Sequence, residues 1–417
     1  MKIRPLFSVL LGNSMQFYDF TIYAFLAQNI ANSFFYLENS IVSYLLVLGV
    51  FASGYLVRPL GALLFGHIGD KLGRSRALSY TVVLTALSTF CIGLLPDSKS
   101  IGILAPIALV FLRLVQGLSV SGEEGGAVVL IMEKNSFKNK GFIGAVVISS
   151  VLFGIVMGAL VCEVTSIFFS SSSTWSWRVP FLLSLPIGLV AAKLRFRVND
   201  FKDFIKNKKM EETFRIPTLE LIRQYKTRIL KSVLIVSLYS MSTSILIVNL
   251  PFVLKVAQFK ETVILPIVVM AVGAVAILTP VFGRMADLYG DLKVLRLSFI
   301  LMTLVFPIGF FMLQFSTSVI SVFIFIISAS ITTSLISSVV FSSLIDNFPF
   351  GVRYSGVSFS FNLSITVFSS LTPVVLAFLE SRENGFFLSG IYMLFISILV
   401  IILSEVISKK TNVAINK

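Results

Sequence analysis

The sequence predicts an all-α integral membrane protein with twelve transmembrane helices in two six-helix bundles. Three observations carry this. First, apolar runs near or above twenty residues recur from Leu6 to Leu403, and 56% of the 417 residues are apolar against 13% charged. That is too little charge to cover a soluble domain of this length. Second, the cations fall unequally on the two sets of connections between these runs. Third, a glycine-bounded turn, Gly66-His67-Ile68-Gly69-Asp70-Lys71-Leu72-Gly73-Arg74-Ser75-Arg76, returns 217 residues later as Gly283-Arg284-Met285-Ala286-Asp287-Leu288-Tyr289-Gly290. The Gly-to-Asp and Asp-to-Gly spacings are the same in both copies, as a duplicated half requires.

The expected spans are 6–31, 40–65, 77–95, 104–132, 141–169 and 178–195, then 230–254, 262–283, 294–315, 318–345, 354–379 and 386–406. The runs lack strict apolar/polar alternation, which argues against an outer-membrane barrel. The domains follow: an N-terminal bundle over 1–195, an inter-bundle loop over 196–229, a C-terminal bundle over 230–407 and a short tail over 408–417. With both termini in the cytoplasm, 27 of the 34 Lys and Arg residues lie on that side and five on the other. Arg58 and Arg113 lie inside spans. The bias orients the protein, so the net charge of +14 is a topology signal and nucleic acid is not an expected partner. The first span lacks a small-residue cleavage site and is expected to stay as an anchor. Cys91 and Cys162 both fall inside spans, which leaves no disulfide framework or metal-ligand spacing.

Taken in order, span one carries Gly12, Gln16, Asp19 and Tyr23 at helical spacing on one face. Asp19 is near mid-span, where a carboxylate is costly unless it lines a cavity or has a partner. Span two ends Arg58-Pro59-Leu60-Gly61, with Pro59 able to kink it. Arg58 either snorkels toward the cytoplasm or faces a cavity and attracts a carboxylate. Span four carries Arg113, Gln116, Gly117 and Glu123. Arg113 and Glu123 are about 15 Å apart along the helix, so each needs another partner, and Asp19 is the candidate for Arg113. Glu124 and Glu133 read as helix-end or loop charges. Trp175 and Trp177 suit the membrane interface. The polar stretch before span seven is long enough for an interfacial helix over 217–225. The second half offers mainly neutral groups: Tyr239, Thr243, Ser244, Asn249, Asn362 and the hydroxyl run from Ser328 to Ser338.

The duplicated turn resembles the cytoplasmic loop between the second and third helices of the major facilitator superfamily of transporters. Gly12-Asn13-Ser14-Met15-Gln16-Phe17-Tyr18-Asp19-Phe20 resembles the opening Gly-Asn-x-x-Glu-Trp-Tyr/Phe-Asp-Phe signature of its metabolite:proton symporters. That group includes proline/betaine, α-ketoglutarate, shikimate and citrate transporters. Here Gln16 stands for the usual Glu and Phe17 for the usual Trp. Arg113-Leu114-Val115-Gln116-Gly117 with Gly122-Glu123, Trp177-Arg178-Val179-Pro180-Phe181 and Phe348-Pro349-Phe350-Gly351-Val352-Arg353 resemble further signatures of that subfamily.

The resemblance implies the major facilitator fold, with a site at mid-membrane between the bundles. It also implies uptake of a small polar metabolite with protons by alternating access. Proline, betaine, another amino acid or an organic acid would fit. Asp19, Arg113 and Glu123 would couple protons, with Asp19 as carrier, Arg113 tuning it and Glu123 as a second titrating site. Asn13, Gln16, Tyr23, Arg58, Gln116, Tyr239, Asn249 and Asn362 would contact substrate. Gly66, Asp70, Gly73, Arg74 and Asp287 would form a cytoplasmic gate, weaker in its second copy. The expected setting is the inner membrane, in contact with lipids, as a monomer, with the proton as coupling ion and no cofactor. No nucleophile–base set or phosphate-binding loop points to an enzyme. A proton-coupled exporter and a non-transporting membrane sensor remain as alternative readings.

Overall fold

The computed structural model describes residues 3–35, 40–135, 139–169, 175–196 and 216–415. Among these residues there is no strand, and every long apolar run is helical. A helix bonds all its backbone groups internally, which is what a chain surrounded by lipid requires. α1 (Ile3–Phe25) is carried on past a loosened turn at Leu26 by Ala27–Phe34. α2 is Ser40–Leu56 continued by Arg58–Leu72, and the break at Val57 precedes Pro59, which has no N–H to continue the ladder. α3 (Arg74–Leu94) leads to a short helix, Ser98–Ile101, capped by Asp97. α4 (Leu104–Lys134) loosens at Ser121 and Gly122. α5 is Lys140–Phe168 and α6 is Trp175–Phe196.

The expected interfacial helix is present as Pro217–Gln224. Within the expected inter-bundle loop, residues 197–215 lie outside the described residues. α7 (Lys226–Val256) and α11 (Phe350–Glu380) each contain a widened turn, Ile245–Asn249 and Ile365–Ser369. A proline, Pro251 or Pro373, follows each and cannot supply the regular hydrogen bond. α8 is Glu261–Tyr289, α9 Asp291–Phe315 and α10 Val319–Ile345. α12 (Gly385–Ile415) runs well past the expected end of span twelve into the short tail expected over 408–417, of which 416–417 lie outside the described residues.

Eleven of these helices are long and apolar enough to cross a membrane. α1 makes the twelfth: at 23 residues it is about 34 Å long. Asn13, Gln16 and Asp19 dilute its apolar character, but all three are buried.

The duplicated turn is tighter than expected. α2 stays helical through Leu72 and α8 through Tyr289, so each reversal falls on one glycine. Gly73 has φ 108° and ψ 144°, and Gly290 has φ 97° and ψ 134°. The two copies share one backbone conformation that side-chain-bearing residues avoid. Gly73→Ala should therefore cost about 1–3 kcal/mol. The midpoint of thermal unfolding in detergent reads this, and an unchanged midpoint would show that the turn relaxes without strain.

Chain packing defines two compact units. The first contains Met1–Ser136, Ser150–Glu220 and Phe350–Asn362; the second contains Phe137–Ser149, Leu221–Pro349 and Leu363–Lys417. The core of the first unit is aromatic, with Tyr18, Tyr23, Phe34, Trp177 and Phe181 buried together. Trp175 is exposed as expected of an interface residue, but Trp177 is not: it sits edge-on to Phe34 and Phe181. The second unit centres on Phe306, Phe310 and Phe325, all fully buried.

Candidate functional site

The first unit buries an unusual set of charges within its helices. Asp19, Arg58, Arg113, Glu123 and Glu124 are each at most 3% exposed. Phe20 of α1 lies between two arginines: the Arg58 guanidinium is 4.3 Å from its ring centroid and that of Arg113 is 4.6 Å. Tyr55 adds a second face to Arg58, and Tyr23 and Phe51 add faces to Arg113. Such contacts are worth about 2 kcal/mol when dry, but they do not satisfy N–H donors. Nε and Nη2 of both arginines have no acceptor. Arg113 otherwise donates to the Phe20 carbonyl and to Gln116.

The expected direct pair between Asp19 and Arg113 is not formed. Consecutive helical residues point about 100° apart. Phe20 turns toward the arginines, and Asp19 turns toward Ser184 of α6. One carboxylate oxygen of Asp19 has no hydrogen-bond partner, and neither polar atom of the Gln16 amide has one. Gln116 links the layers by donating to the Asp19 carbonyl at 2.8 Å and to Thr89 at 2.7 Å. Asn13 donates to Ser150 at 2.8 Å, and the Tyr23 hydroxyl donates to the Val47 carbonyl at 3.3 Å.

Glu123, expected as a second titrating site, has partners outside its own helix. It pairs with Arg195 at the end of α6 and accepts from Thr81 at 2.9 Å. Arg195 also donates to the carbonyls of Ser8, Val9 and Leu78. A side chain at Gly12 would overlap the Arg195 guanidinium. One buried ion pair thus ties α1, α3, α4 and α6 together. Glu124 is a buried neighbour of Arg58, not a helix-end surface charge.

At the Gly73 end of the unit, Asp70 accepts from the backbone N–H groups of Tyr354 and Ser355 and from the Ser355 hydroxyl. A carboxylate at a helix start is favoured by the dipole and the free N–H groups there. Arg74 bridges Asp70 and Glu133, each at 3.2 Å, and donates to the carbonyls of Gly69 and Phe350. Glu133, read from the sequence as a helix-end or loop charge, also binds Arg353 at 3.2 Å. Gly66 packs on Ser355, while Gly69 and Gly126 leave the space that the Tyr354 ring fills.

This arrangement sits inside a chain whose residues 9–362 match the family profile described as Major Facilitator Superfamily. The chain belongs to the major facilitator superfamily. It is a multi-pass membrane transporter of that superfamily. It is 29% identical over 415 residues to a proline/betaine transporter of Escherichia coli (strain K12), covering 96% of this chain and 82% of the relative. It is 30% identical over 402 residues to the glycine betaine/proline/ectoine/pipecolic acid transporter OusA of Dickeya dadantii (strain 3937), covering 93% and 80%. Among solved structures, the major facilitator superfamily proton:xylose symporter XylE bound to 6-bromo-6-deoxy-D-glucose superposes with a TM-score of 0.70 over 95% of this chain and 94% of that one. A bacterial homologue of the iron transporter ferroportin superposes at 0.69 over 97% and 98%. Their identities of 15% and 14% make these likenesses of fold.

The second unit of this superfamily member holds a related turn. Asp287 accepts from the N–H groups of Gly141 and Phe142 at the start of α5, at 2.8 and 2.9 Å. It has no ion pair among the described residues, because Asp291 follows Gly290 where Arg74 follows Gly73. The hydroxyls of Ser334 and Ser337 on α10 bond back to their own helix, whereas Ser330 and Thr333 stay unpartnered. Tyr239 is buried on α7. Asn249 donates to Glu380 at 2.9 Å. Asn362, which packs in the first unit, donates to the carbonyls of Ser121 and Ser358.

Sequence reasoning missed the role of Arg195, counted with the cytoplasmic-side cations at the end of span six, together with Glu380 and the role of Glu133. The available signal for Arg195 was Glu123, a mid-span acid with no partner within its own helix.

Proposed function

We propose that the protein is a proton-coupled symporter that takes up a small metabolite bearing a carboxylate, by alternating access, across the inner membrane. A zwitterion such as proline or betaine is the favoured substrate class. The observation that carries this is the pair of buried arginines, Arg58 and Arg113, in each of which two donor nitrogens, Nε and Nη2, have no acceptor, in one unit with the part-satisfied Asp19. Leaving such donors dry costs free energy, and a substrate carboxylate would satisfy them in forked geometry. Gln16 offers a further donor and acceptor, and Asp19 has the open oxygen on which a proton can be carried. Glu123 would hold α6 in place, with no proton role. The names of the relatives fit a zwitterionic substrate. Asn13, Tyr23 and Gln116 would set the shape of the site. Within the second unit, Tyr239 and Asn249 would offer neutral polar groups to a substrate, and Asn362 would position α11. Asp70 with Gly66, Gly73 and Arg74, and Asp287 in the second copy, would form contacts that break and re-form in each transport cycle. Both termini would be cytoplasmic and the protein a monomer without a cofactor.

Purified protein in liposomes under an inward proton gradient tests the reading, with proline, glycine betaine and dicarboxylates as candidate solutes. Accumulation of a carboxylate-bearing solute supports it. Solute-driven proton entry that expels solute would indicate export, and no movement of any solute would favour a sensor. Lysine cannot reproduce a guanidinium fork. Arg58→Lys should therefore weaken apparent substrate affinity about 10- to 150-fold, the equivalent of about 1.5–3 kcal/mol for a hydrogen bond to a charged group. An unchanged KM would remove Arg58 from the site.

A further inference from the structure

A cavity of about 710 Å³ lies within the second unit, between α7, α9, α10 and α12, at the end that loop charge assigns to the cytoplasm. Ile235, Leu295, Phe299 and Ile401 give it an apolar wall. Leu292 and Ile300 at its edge are 70% and 53% exposed. They continue this wall onto the outer surface of α9, where acyl chains run.

The lining also carries both signs of charge. Lys231 and Arg296 are its cations. Neither forms an ion pair among the described residues, and the near neighbour of Lys231 is the like charge of Arg228. Asp291 also lines the cavity, beside Ser342, with Asp287, Lys140 and Asp346 near it. Asp346 is engaged by Lys140 at 2.6 Å, and Glu405 stands exposed at the mouth. The buried Ser343 hydroxyl has no partner.

We propose that this cavity binds a zwitterionic phospholipid with a primary-amine headgroup. Its phosphate would lie at Lys231 and Arg296, its ammonium at Asp291 and Glu405, and the start of its acyl chains on the apolar wall. Basic pockets between transmembrane helices suit lipid phosphates, and charge-assisted hydrogen bonds favour an ammonium that can donate. A quaternary ammonium cannot donate to Asp291, and an anionic headgroup would bring no cation to Asp291 and Glu405. A water-soluble zwitterion would leave the apolar wall wet. The site is separate from the arginine pair of the first unit and does not depend on which solute is carried.

Native mass spectrometry of the detergent-purified full chain tests this. The chain is offered equal amounts of phosphatidylethanolamine, phosphatidylcholine and phosphatidylglycerol with identical acyl chains. Phosphatidylethanolamine adducts should dominate. The double variant Lys231→Ala/Arg296→Gln should bind it about tenfold less, and Asp291→Asn should shift preference toward phosphatidylglycerol. Equal occupancy by the three lipids on the unsubstituted chain would overturn the proposal without any question of folding. So would unchanged phosphatidylethanolamine binding by the double variant. A thermal shift with soluble phosphoethanolamine that matched the shift with lipid would assign the cavity to a free solute and overturn it as well.

Discussion

Asp19→Asn should abolish proton-driven accumulation while leaving exchange of substrate down its own gradient. A gradient of about one pH unit stores about 1.4 kcal/mol per proton, enough for about tenfold accumulation in a one-to-one symporter. With asparagine at position 19 the side chain stays polar and nearly isosteric but cannot carry a proton. Substrate should then equilibrate with no accumulation. The choice of Asp19 follows from the geometry: Glu123 is taken by Arg195 and Thr81, while Asp19 keeps an unpartnered oxygen at 1% exposure. Uptake and counterflow in liposomes, measured across pH, separate coupling from binding. Accumulation equal to that of the unsubstituted protein at every pH would refute the assignment.

Arg195→Ala should destabilise the first unit by about 3–5 kcal/mol, the usual cost of breaking a buried ion pair by removing one partner. Arg195 is 1% exposed and Glu123 is fully buried. Its loss strands the Glu123 carboxylate and removes donors from three backbone carbonyls on α1 and α3. Thermal unfolding in detergent should show a large fall in midpoint. A double variant, Arg195→Met with Glu123→Leu, should recover part of it, because a packed apolar pair avoids the cost of a lone charge. If Arg195→Ala melts like the unsubstituted protein, the pair does not hold these helices together.

Much of the fold was legible because membrane insertion imposes coarse, local rules. Span length, loop charge and the repeated glycine–aspartate spacing each act on short stretches. They placed nearly every helix within a few residues, except where helix continued beyond the expected span ends, through Leu72, Tyr289 and Ile415. The ion pairs were less legible. Asp19 and Arg113 are a plausible pair by depth, yet the rotation between Asp19 and Phe20 on α1 sends the acid to α6 and the ring to the arginines. Glu133 and Arg353 are 220 residues apart and meet only because α11 starts beside α4.

The sequence by itself determined the membrane class, the spans, the repeated turn and the mid-span positions of Asp19, Arg58, Arg113 and Glu123, since these depend on composition and spacing along the chain. Tertiary structure decided which charge meets which. An arginine can satisfy its donors with an acid, a carbonyl or an aromatic face, and only the packing of neighbouring helices selects among them. Thus Glu123 went to Arg195, Glu133 to Arg74 and Arg353, and Arg58 and Arg113 kept donors that no neighbouring helix fills.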